Sequence, residues 1–315
     1  MKLLLAGGGT GGHLFPAVAL AQRLLAKEAD AEVLFVGTAQ GIEARILPEL
    51  GLPLATITIG GLVGKGLLRQ LAMGPRLLVS VWQSRGILKK FRPDVVVGVG
   101  GYASGPVLLA AKLLGLPTLI HEQNAALGLT NRLLGRWVDR VCLSFDETQC
   151  PLSSGRMVVT GNPLRLGMDD CPPLPNGEPH LLVFGGSRGA RAINQAVTAM
   201  LPHLEPFRGC LRILHQTGAE DLEAVRAGYR QAGWDADGVV PFIDDMPAAY
   251  AQSHLVLCRA GATSLAELTA CGRPAILIPY PHAAADHQTA NAQALAARGA
   301  ALMLPQGEMT PEVLA

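Results

Sequence analysis

The sequence has 315 residues, enough for two domains of ordinary size at roughly 150 residues each. Apolar residues make up 49% and charged residues 16%, against about 25% charged in a typical soluble domain, yet no run reaches the roughly 18 uncharged apolar residues of a membrane span. A net charge of +1 carries no signal for nucleic acid, and six scattered cysteines (Cys142, Cys150, Cys171, Cys210, Cys258 and Cys271) with no C-x-x-C pair exclude a zinc framework or a disulfide scaffold and fit a reducing cytoplasm.

In chain order, Lys2–Ala6 reads as a strand that runs straight into a glycine loop, so no signal peptide is expected. A helix follows over 15–28, then strand Glu32–Gly37, a helix over 41–50, strand 94–99 and a helix over 104–114. Strands at 118–121, 140–145 and 157–160 complete this half. The alternation implies a parallel sheet with helices on both faces. Residues 163–179 hold Pro163, Pro172, Pro173, Pro175, Gly177 and Pro179 and read as a linker. The rhythm then restarts with strand His180–Phe184, a helix from Arg191, and strands at 211–215, 239–240, 254–258 and 275–279. The expectation is an α/β protein of two doubly wound, Rossmann-like domains, 1–163 and 164–315. Ligands would sit outside the carboxyl ends of the strands, in a cleft between the domains.

Four glycine turns fall at strand-to-helix junctions: Gly7 to His13, Gly98 to Pro106, Gly185 to Ala190 and Gly261 to Ser264. Backbone N–H groups without side chains in the way, next to a helix N-terminus, can close around a phosphate. Gly7, Gly9 and Gly12 satisfy G-x-G-x-x-G, but strand two ends Phe35-Val36-Gly37-Thr38 without the acid a dinucleotide ribose needs. No G-x-x-x-x-G-K-[ST] occurs either. Ordinary tight turns explain one or two of these loops; two per domain suit two diphosphate ligands. His13, where the first loop meets its helix, either takes a proton from a sugar hydroxyl or only holds the loop. Ser264-x-x-Glu267 fits a capping box, whereas the sharper reading makes Glu267 a ribose ligand and Ala262 to Ser264 a phosphate cradle. Gln288 and Asn291 share a helix face, suited to the hydroxyls of a neutral sugar or merely to solvent. His282, Asp286 and His287 invite a metal, but no helical i, i+4 pairing supports His282, so no metal site is expected.

Between Leu50 and Pro93 there is no acidic residue. The segment 62–92 carries Lys65, Arg69, Arg76, Arg85, Lys89, Lys90 and Arg92 among leucines, valines and Trp82. That composition fits a surface resting on an anionic bilayer, or an inward apolar face with solvated charges. Nucleic acid ranks last because stacking aromatics are scarce.

The strings Gly8-Gly9-Thr10-Gly11-Gly12-His13, Gly100-Gly101-Tyr102-Ala103-Ser104-Gly105-Pro106, His121-Glu122-Gln123-Asn124, Gly161-Asn162-Pro163-Leu164-Arg165, Gly185-Gly186-Ser187-Arg188-Gly189-Ala190 and Asp286-His287-Gln288 occur in this order. In them the chain closely resembles glycosyltransferase family 28, the N-acetylglucosaminyltransferases of bacterial peptidoglycan synthesis, from its first residues to its last. The resemblance implies a GT-B fold. It also implies inverting transfer of N-acetylglucosamine from UDP-N-acetylglucosamine to the C4 hydroxyl of undecaprenyl-pyrophosphoryl-N-acetylmuramyl-pentapeptide (lipid I, giving lipid II). The protein would sit peripherally on the cytoplasmic face of the cell membrane. By the same resemblance, Arg165, Ser187, Ile243, Ala262, Thr263, Ser264, Leu265, Ala266, Glu267 and Gln288 would contact the donor, with Asn291 close to the sugar. Thr10, Gly11, Gly12 and Asn124 would reach the donor from the first domain. Gly9, Gly12, Gly101, Tyr102 and Ser104 would hold the acceptor diphosphate, and His13 would be the base. Loop amides and a helix N-terminus would meet the charge of departing UDP, so neither a cofactor nor an obligatory metal is expected. Members of that family normally run some tens of residues past the position of Ala315, so the second domain is expected to be truncated. A UDP-sugar 2-epimerase, a glycosyltransferase with another acceptor, and a non-catalytic nucleotide-binding homologue are the competing readings.

Overall fold

The computed structural model describes residues 1–59, 73–148, 154–186 and 188–315. The chain divides into two compact units, Met1–Leu166 and Gly167–Ala315. The division falls three residues past the predicted 163, because the segment after the last strand of the first unit stays tied to that unit. A ring nitrogen of His121, Nε2, lies 3.0 Å from the carbonyl of Gly161, and the Arg23 guanidinium donates to the carbonyl of Arg165 at 3.5 Å.

In the first unit the elements run β1 (Lys2–Ala6), α1 (Gly11–Lys27), β2 (Glu32–Gly37), α2 (Glu43–Glu49), β3 (Leu54–Thr56), α3 (Met73–Phe91), β4 (Val95–Gly98), α4 (Ser104–Leu113), β5 (Thr118–Glu122), α5 (Leu129–Leu134), β6 (Arg140–Leu143) and β7 (Met157–Val159). The strands form one parallel sheet in the order β3-β2-β1-β4-β5-β6-β7. Strands covered by helices on both faces need apolar side chains on both sides, which is why β1 and β4 read as unbroken Leu and Val runs. Leu4, Val36, Val96 and Ile120 pack under one layer of helices, and Leu3, Leu5, Val33 and Val97 under the other.

The second unit repeats the plan with β8 (His180–Phe184), α6 (Arg191–Met200), β9 (Arg212–Gln216), α7 (Leu222–Gln231), β10 (Val239–Val240), α8 (Met246–Gln252), β11 (Leu255–Cys258), α9 (Ala262–Cys271), β12 (Ala275–Leu277), α10 (His287–Ala296), β13 (Ala301–Met303) and α11 (Pro311–Leu314). Its sheet order, β10-β9-β8-β11-β12-β13, reverses direction beside the first strand exactly as the first sheet does between β1 and β4. That reversal opens a crevice at the carboxyl ends of β1 and β4 in one unit, and of β8 and β11 in the other. Helix α6 shows why these helices pack: Ile193, Ala196, Val197 and Met200, at helical spacing, are buried together.

Two local expectations need correction. Helix α1 begins at Gly11, not Phe15, because Thr10 is extended and the chain turns helical inside the glycine run, which puts His13 in the first turn. The proline-rich segment 163–179 is not a free spacer. Met168 is fully buried, and the buried Arg273 guanidinium donates to the carbonyls of Pro172 at 2.7 Å and Pro173 at 3.3 Å.

Candidate active site

At the carboxyl edge of the first sheet, two glycine loops interlock. A Cβ on Gly101 would collide with the Gly8 carbonyl, and one on Gly7 would come within 2.7 Å of the Gly100 carbonyl. Glycine is therefore required there for the close approach of two backbones. Gly9 and Gly12 instead lie open at the surface. The Ser104 hydroxyl donates to the carbonyls of Ala6 and Gly100 at 2.7 and 2.8 Å and accepts from the Gly100 N–H at 3.1 Å. This buried side chain ties β1 to β4 and leaves only the backbone of Ser104, at the start of α4, to face a ligand.

His13 lies half-buried above this knot. Its Nδ1 is 3.1 Å from Thr10 Oγ1, and its ring occupies the space a side chain on Gly100 would need. Thr10 spends its hydroxyl on His13 and does not cap α1. The N–H groups of Gly11 and Gly12 have no partner one turn back. Helices α4, α6 and α9 also begin without a side-chain cap, at Ala103, Ala190 and Gly261. By contrast α8 is capped by Asp245, which accepts from the Ala248 N–H at 2.9 Å. The helices that follow glycine loops thus leave their first N–H groups without a side-chain cap, a feature they share with α2, α5, α7 and α10.

Two buried carboxylates brace the carboxyl edge of this sheet: Glu122 holds the segment after β5, and Glu43 the first glycine loop. Glu122 accepts from the backbone N–H of Asn124 and Gly128 at 3.1 and 2.9 Å, and from the side-chain amides of Asn124 and Asn131 at 3.2 and 3.0 Å. Asn124 is thus held by the acid two residues before it. Glu43 accepts from the N–H groups of Gly9 and Thr38, both at 2.8 Å, and from the Thr38 hydroxyl at 2.9 Å. Burial alone would raise its pKa, but these donors outweigh burial and hold it below the usual carboxylate value. Sequence reading missed Glu43. The available signal is an acid on the apolar face of α2, one turn before the buried Leu47.

In the second unit, Ala262, Thr263 and Ser264 form the open first turn of α9. The cap is Gly261, so the capping box, the blander of the two readings of Ser264 and Glu267, does not form: both residues already lie inside the helix. The Thr263 hydroxyl is buried with no partner among the described residues. Glu267 is buried one turn further on and accepts from the Tyr250 hydroxyl at 3.2 Å. Leu265 is buried against the core and Ala266 is half-buried. Asn291 is fully buried and donates to the Ala260 carbonyl at 3.1 Å, so it fixes the turn that leads into α9. Gln288, one turn earlier in α10, accepts from the Tyr280 N–H at 2.9 Å. Ile243 is buried behind the exposed Phe242. Arg165 belongs to the first unit, and Ser187 lies outside the described residues.

Arg259 is a second residue that sequence reading passed over. It is buried at the end of β11 and donates to the carbonyls of Ile278 and Pro279, both at 3.2 Å, and to the Gln306 side chain at 2.6 Å. Its guanidinium lies 5.4 Å from the ring centre of Tyr280. It therefore joins the α9 turn to the Pro279–His282 loop with a positive charge. Ala285 and Asp286, immediately before α10, both take the left-handed φ of 51° that non-glycine residues rarely adopt. Among the described residues no group of three or more His, Cys, Asp or Glu side chains is placed to hold a metal ion.

On α3, Ser80, Ser84 and Leu88 turn inward while Leu77, Leu78, Val79 and Trp82 are exposed, Trp82 by 77%. Residues 62–72 of the predicted membrane segment lie outside the described residues. No helix among the described residues is long and apolar enough to cross a membrane.

Residues 3–143 match the glycosyltransferase family 28 N-terminal domain, and residues 180–315 the glycosyltransferase family 28 C-terminal domain. The chain is 66% identical over 315 residues to the UDP-N-acetylglucosamine--N-acetylmuramyl-(pentapeptide) pyrophosphoryl-undecaprenol N-acetylglucosamine transferase of Syntrophotalea carbinolica, covering 100% of this chain and 88% of that protein. It is 51% identical over 321 residues to the protein of the same description from Geobacter sulfurreducens, with the same coverage of 100% and 88%. Among solved structures, Acinetobacter baumannii MurG is similar with a TM-score of 0.79 at 38% identity, over 99% of this chain and 88% of that one. The kitacinnamycin glycotransferase, at 16% identity and a TM-score of 0.67 over 99% of this chain and 88% of that one, shares the fold.

Proposed function

We propose, from the chain's membership of glycosyltransferase family 28, that it transfers N-acetylglucosamine from UDP-N-acetylglucosamine to the lipid-linked muramyl-pentapeptide, lipid I, in peptidoglycan synthesis. The structural observation that carries this reading is the open N-terminus of α9 with a buried carboxylate one turn inside it. A diphosphate placed there meets three unpaired N–H groups and the positive helix end. A ribose beside it presents hydroxyl donors that Glu267 can accept. The second unit is accordingly the donor unit. Asn291 and Gln288 hold the turns that frame the sugar, and Arg259 adds positive charge under the same turns.

The first unit takes the acceptor. The N–H groups of Gly11 and Gly12, with the backbone of Gly101 to Ser104, face its diphosphate. His13 is the base. With Nδ1–H donated to Thr10, Nε2 carries the lone pair that removes the proton from the C4 hydroxyl. The hydroxyl oxygen forms its bond to the anomeric carbon as the bond to UDP breaks, on the opposite face, so the configuration inverts. The electron pair leaves on the diphosphate, where the N–H groups of α9 stabilise it. The exposed face of α3 rests on the anionic membrane surface that carries the acceptor, with Leu78 and Trp82 as apolar contacts and Arg85 and Lys89 on the same face.

The test is incubation with labelled UDP-N-acetylglucosamine, with and without the lipid-linked acceptor. The expected result is label in the lipid fraction only when the acceptor is present. An epimerised sugar formed without acceptor, or tight UDP binding with no turnover, would overturn the reading.

A further inference from the structure

The two units share a strand order and a glycine loop after the first strand, but they treat that loop oppositely. In the second unit the end of the second strand carries Gln216, whose neutral amide donates to the Gly186 carbonyl at 3.0 Å. In the first unit the equivalent corner is filled by Glu43, which takes the N–H of Gly9 at 2.8 Å. The surrounding backbone is cut to fit it. A Cβ on Gly8 or Gly41 would collide with the carboxylate itself, and one on Gly37 would lie 2.6 Å from Glu43 Cγ. Three glycines from two loops thus enclose one carboxylate that bonds to both loops.

We propose that Glu43 is a positioning residue for the transfer reaction: an internal anion that fixes Gly9 against Thr38 and so sets the place of Thr10 and His13 at the start of α1. The chain of contacts is short. Glu43 holds Gly9, the next residue is Thr10, and Thr10 Oγ1 meets His13 Nδ1 at 3.1 Å. A second consequence concerns the acceptor. The Gly9 N–H is already spent on a carboxylate, so the acceptor diphosphate is left with Gly11 and Gly12 at the helix start.

This assignment rests on His13 and the first unit serving the acceptor, and the test separates the two. Glu43→Gln keeps the shape but turns an NH2 toward one of the N–H donors that the carboxylate now accepts. The expected result is a fall in kcat of roughly 10²-fold, as a misplaced reacting group produces. The affinity for UDP, which the proposed function assigns to the N-terminus of α9 and to Glu267, should stay within about twofold, a split that general unfolding does not produce. Glu43→Asp, which keeps the charge but shortens the reach, should recover part of kcat relative to Glu43→Gln, and it carries the test alone if the glutamine variant fails to fold. Wild-type transfer with kcat unchanged in both variants would remove the Glu43 assignment and leave the transferase reading standing. Loss of UDP affinity in parallel with kcat would also remove it, by making the effect structural. A wild-type protein without transfer would remove both.

Discussion

The imidazole of His13 fills the space above Gly100 that any other residue would claim for its own Cβ, which would stand 2.8 Å from His13 Cδ2 and 2.9 Å from Nε2. Gly100 also has φ +94°, outside the range that L side chains readily adopt. One glycine therefore serves two ends: it lets the β4 loop turn, and it leaves room for the ring of His13, the proposed base. Gly100→Ala is expected to cost about 1–2 kcal/mol of stability through the backbone alone. It should also lower kcat by at least roughly tenfold by moving the ring. Thermal melting and steady-state kinetics check the two effects separately; unchanged kcat in a folded variant would mean that Gly100 does not place His13.

Glu267 and Tyr250 make a second testable pair. Tyr250 is fully buried and its hydroxyl donates to Glu267, which orients the carboxylate. A hydrogen bond to a charged group contributes about 1.5–3 kcal/mol, so Glu267→Ala should weaken UDP binding roughly 10- to 100-fold. Tyr250→Phe should weaken it by a smaller factor, since it removes only the orienting bond. His13→Ala should leave UDP affinity unchanged and lower turnover. Calorimetric titration with UDP distinguishes these outcomes, and unaltered affinity in Glu267→Ala would remove the ribose assignment.

The proposed attachment of α3 to the membrane predicts a specific separation of effects. Leu78 is 72% exposed and Trp82, one turn later, 77%. Replacing both with Glu should reduce sedimentation with vesicles of anionic phospholipid at least tenfold on an order-of-magnitude basis, by removing apolar contact and adding repulsion. Binding of the unaltered protein should weaken as salt rises. Turnover on a water-soluble acceptor analogue should not change. Vesicle binding that survives the double substitution would place the membrane contact elsewhere.

The second unit should lose stability in mild acid through His215. This ring is fully buried between the Tyr229 hydroxyl at 3.1 Å and the Asn194 side-chain oxygen at 3.2 Å, and burial pushes its pKa down from 6.5 to about 4. The folded state therefore favours the neutral ring. Its contribution is fully present above about pH 6.5, is lost as pH falls toward 4, and amounts to about 3 kcal/mol over that window. His121 in the first unit, also pushed down chiefly by burial, acts in the same direction. Urea midpoints of the wild type should fall between pH 7 and pH 5. His215→Gln, which has no proton to gain, should show a shallower fall, and an equal slope in both would show that His215 does not titrate on unfolding.

Much of the architecture was legible without coordinates. Runs such as Leu3 to Leu5 and Val95 to Val97 are apolar on both faces, and only a strand covered on both sides needs that. The glycine loops were legible as turns after such strands, because few other residues tolerate the backbone they adopt. Ser264 and Glu267 also fitted a capping box, since a sequence does not say which residue opens the helix; the fold opened it at Gly261. Residue type also failed to tell a ligand contact from a brace. Ser104, Asn291 and Glu122 have the right chemistry for a ligand, but in the fold their side chains bond to groups of their own unit.

The sequence by itself determined two parallel sheets, most of their strands and the four turns at their carboxyl edges, because those follow from local periodicity and backbone sterics; the short edge strands β3 and β13 appeared only in the fold. Only the tertiary structure decided which polar groups remain to be used. Glu43 and Gly9 stand 34 positions apart, and Arg259 and Gln306 stand 47 apart. Whether a buried charge faces a ligand or its own backbone depends on which distant loop the sheet brings beside it.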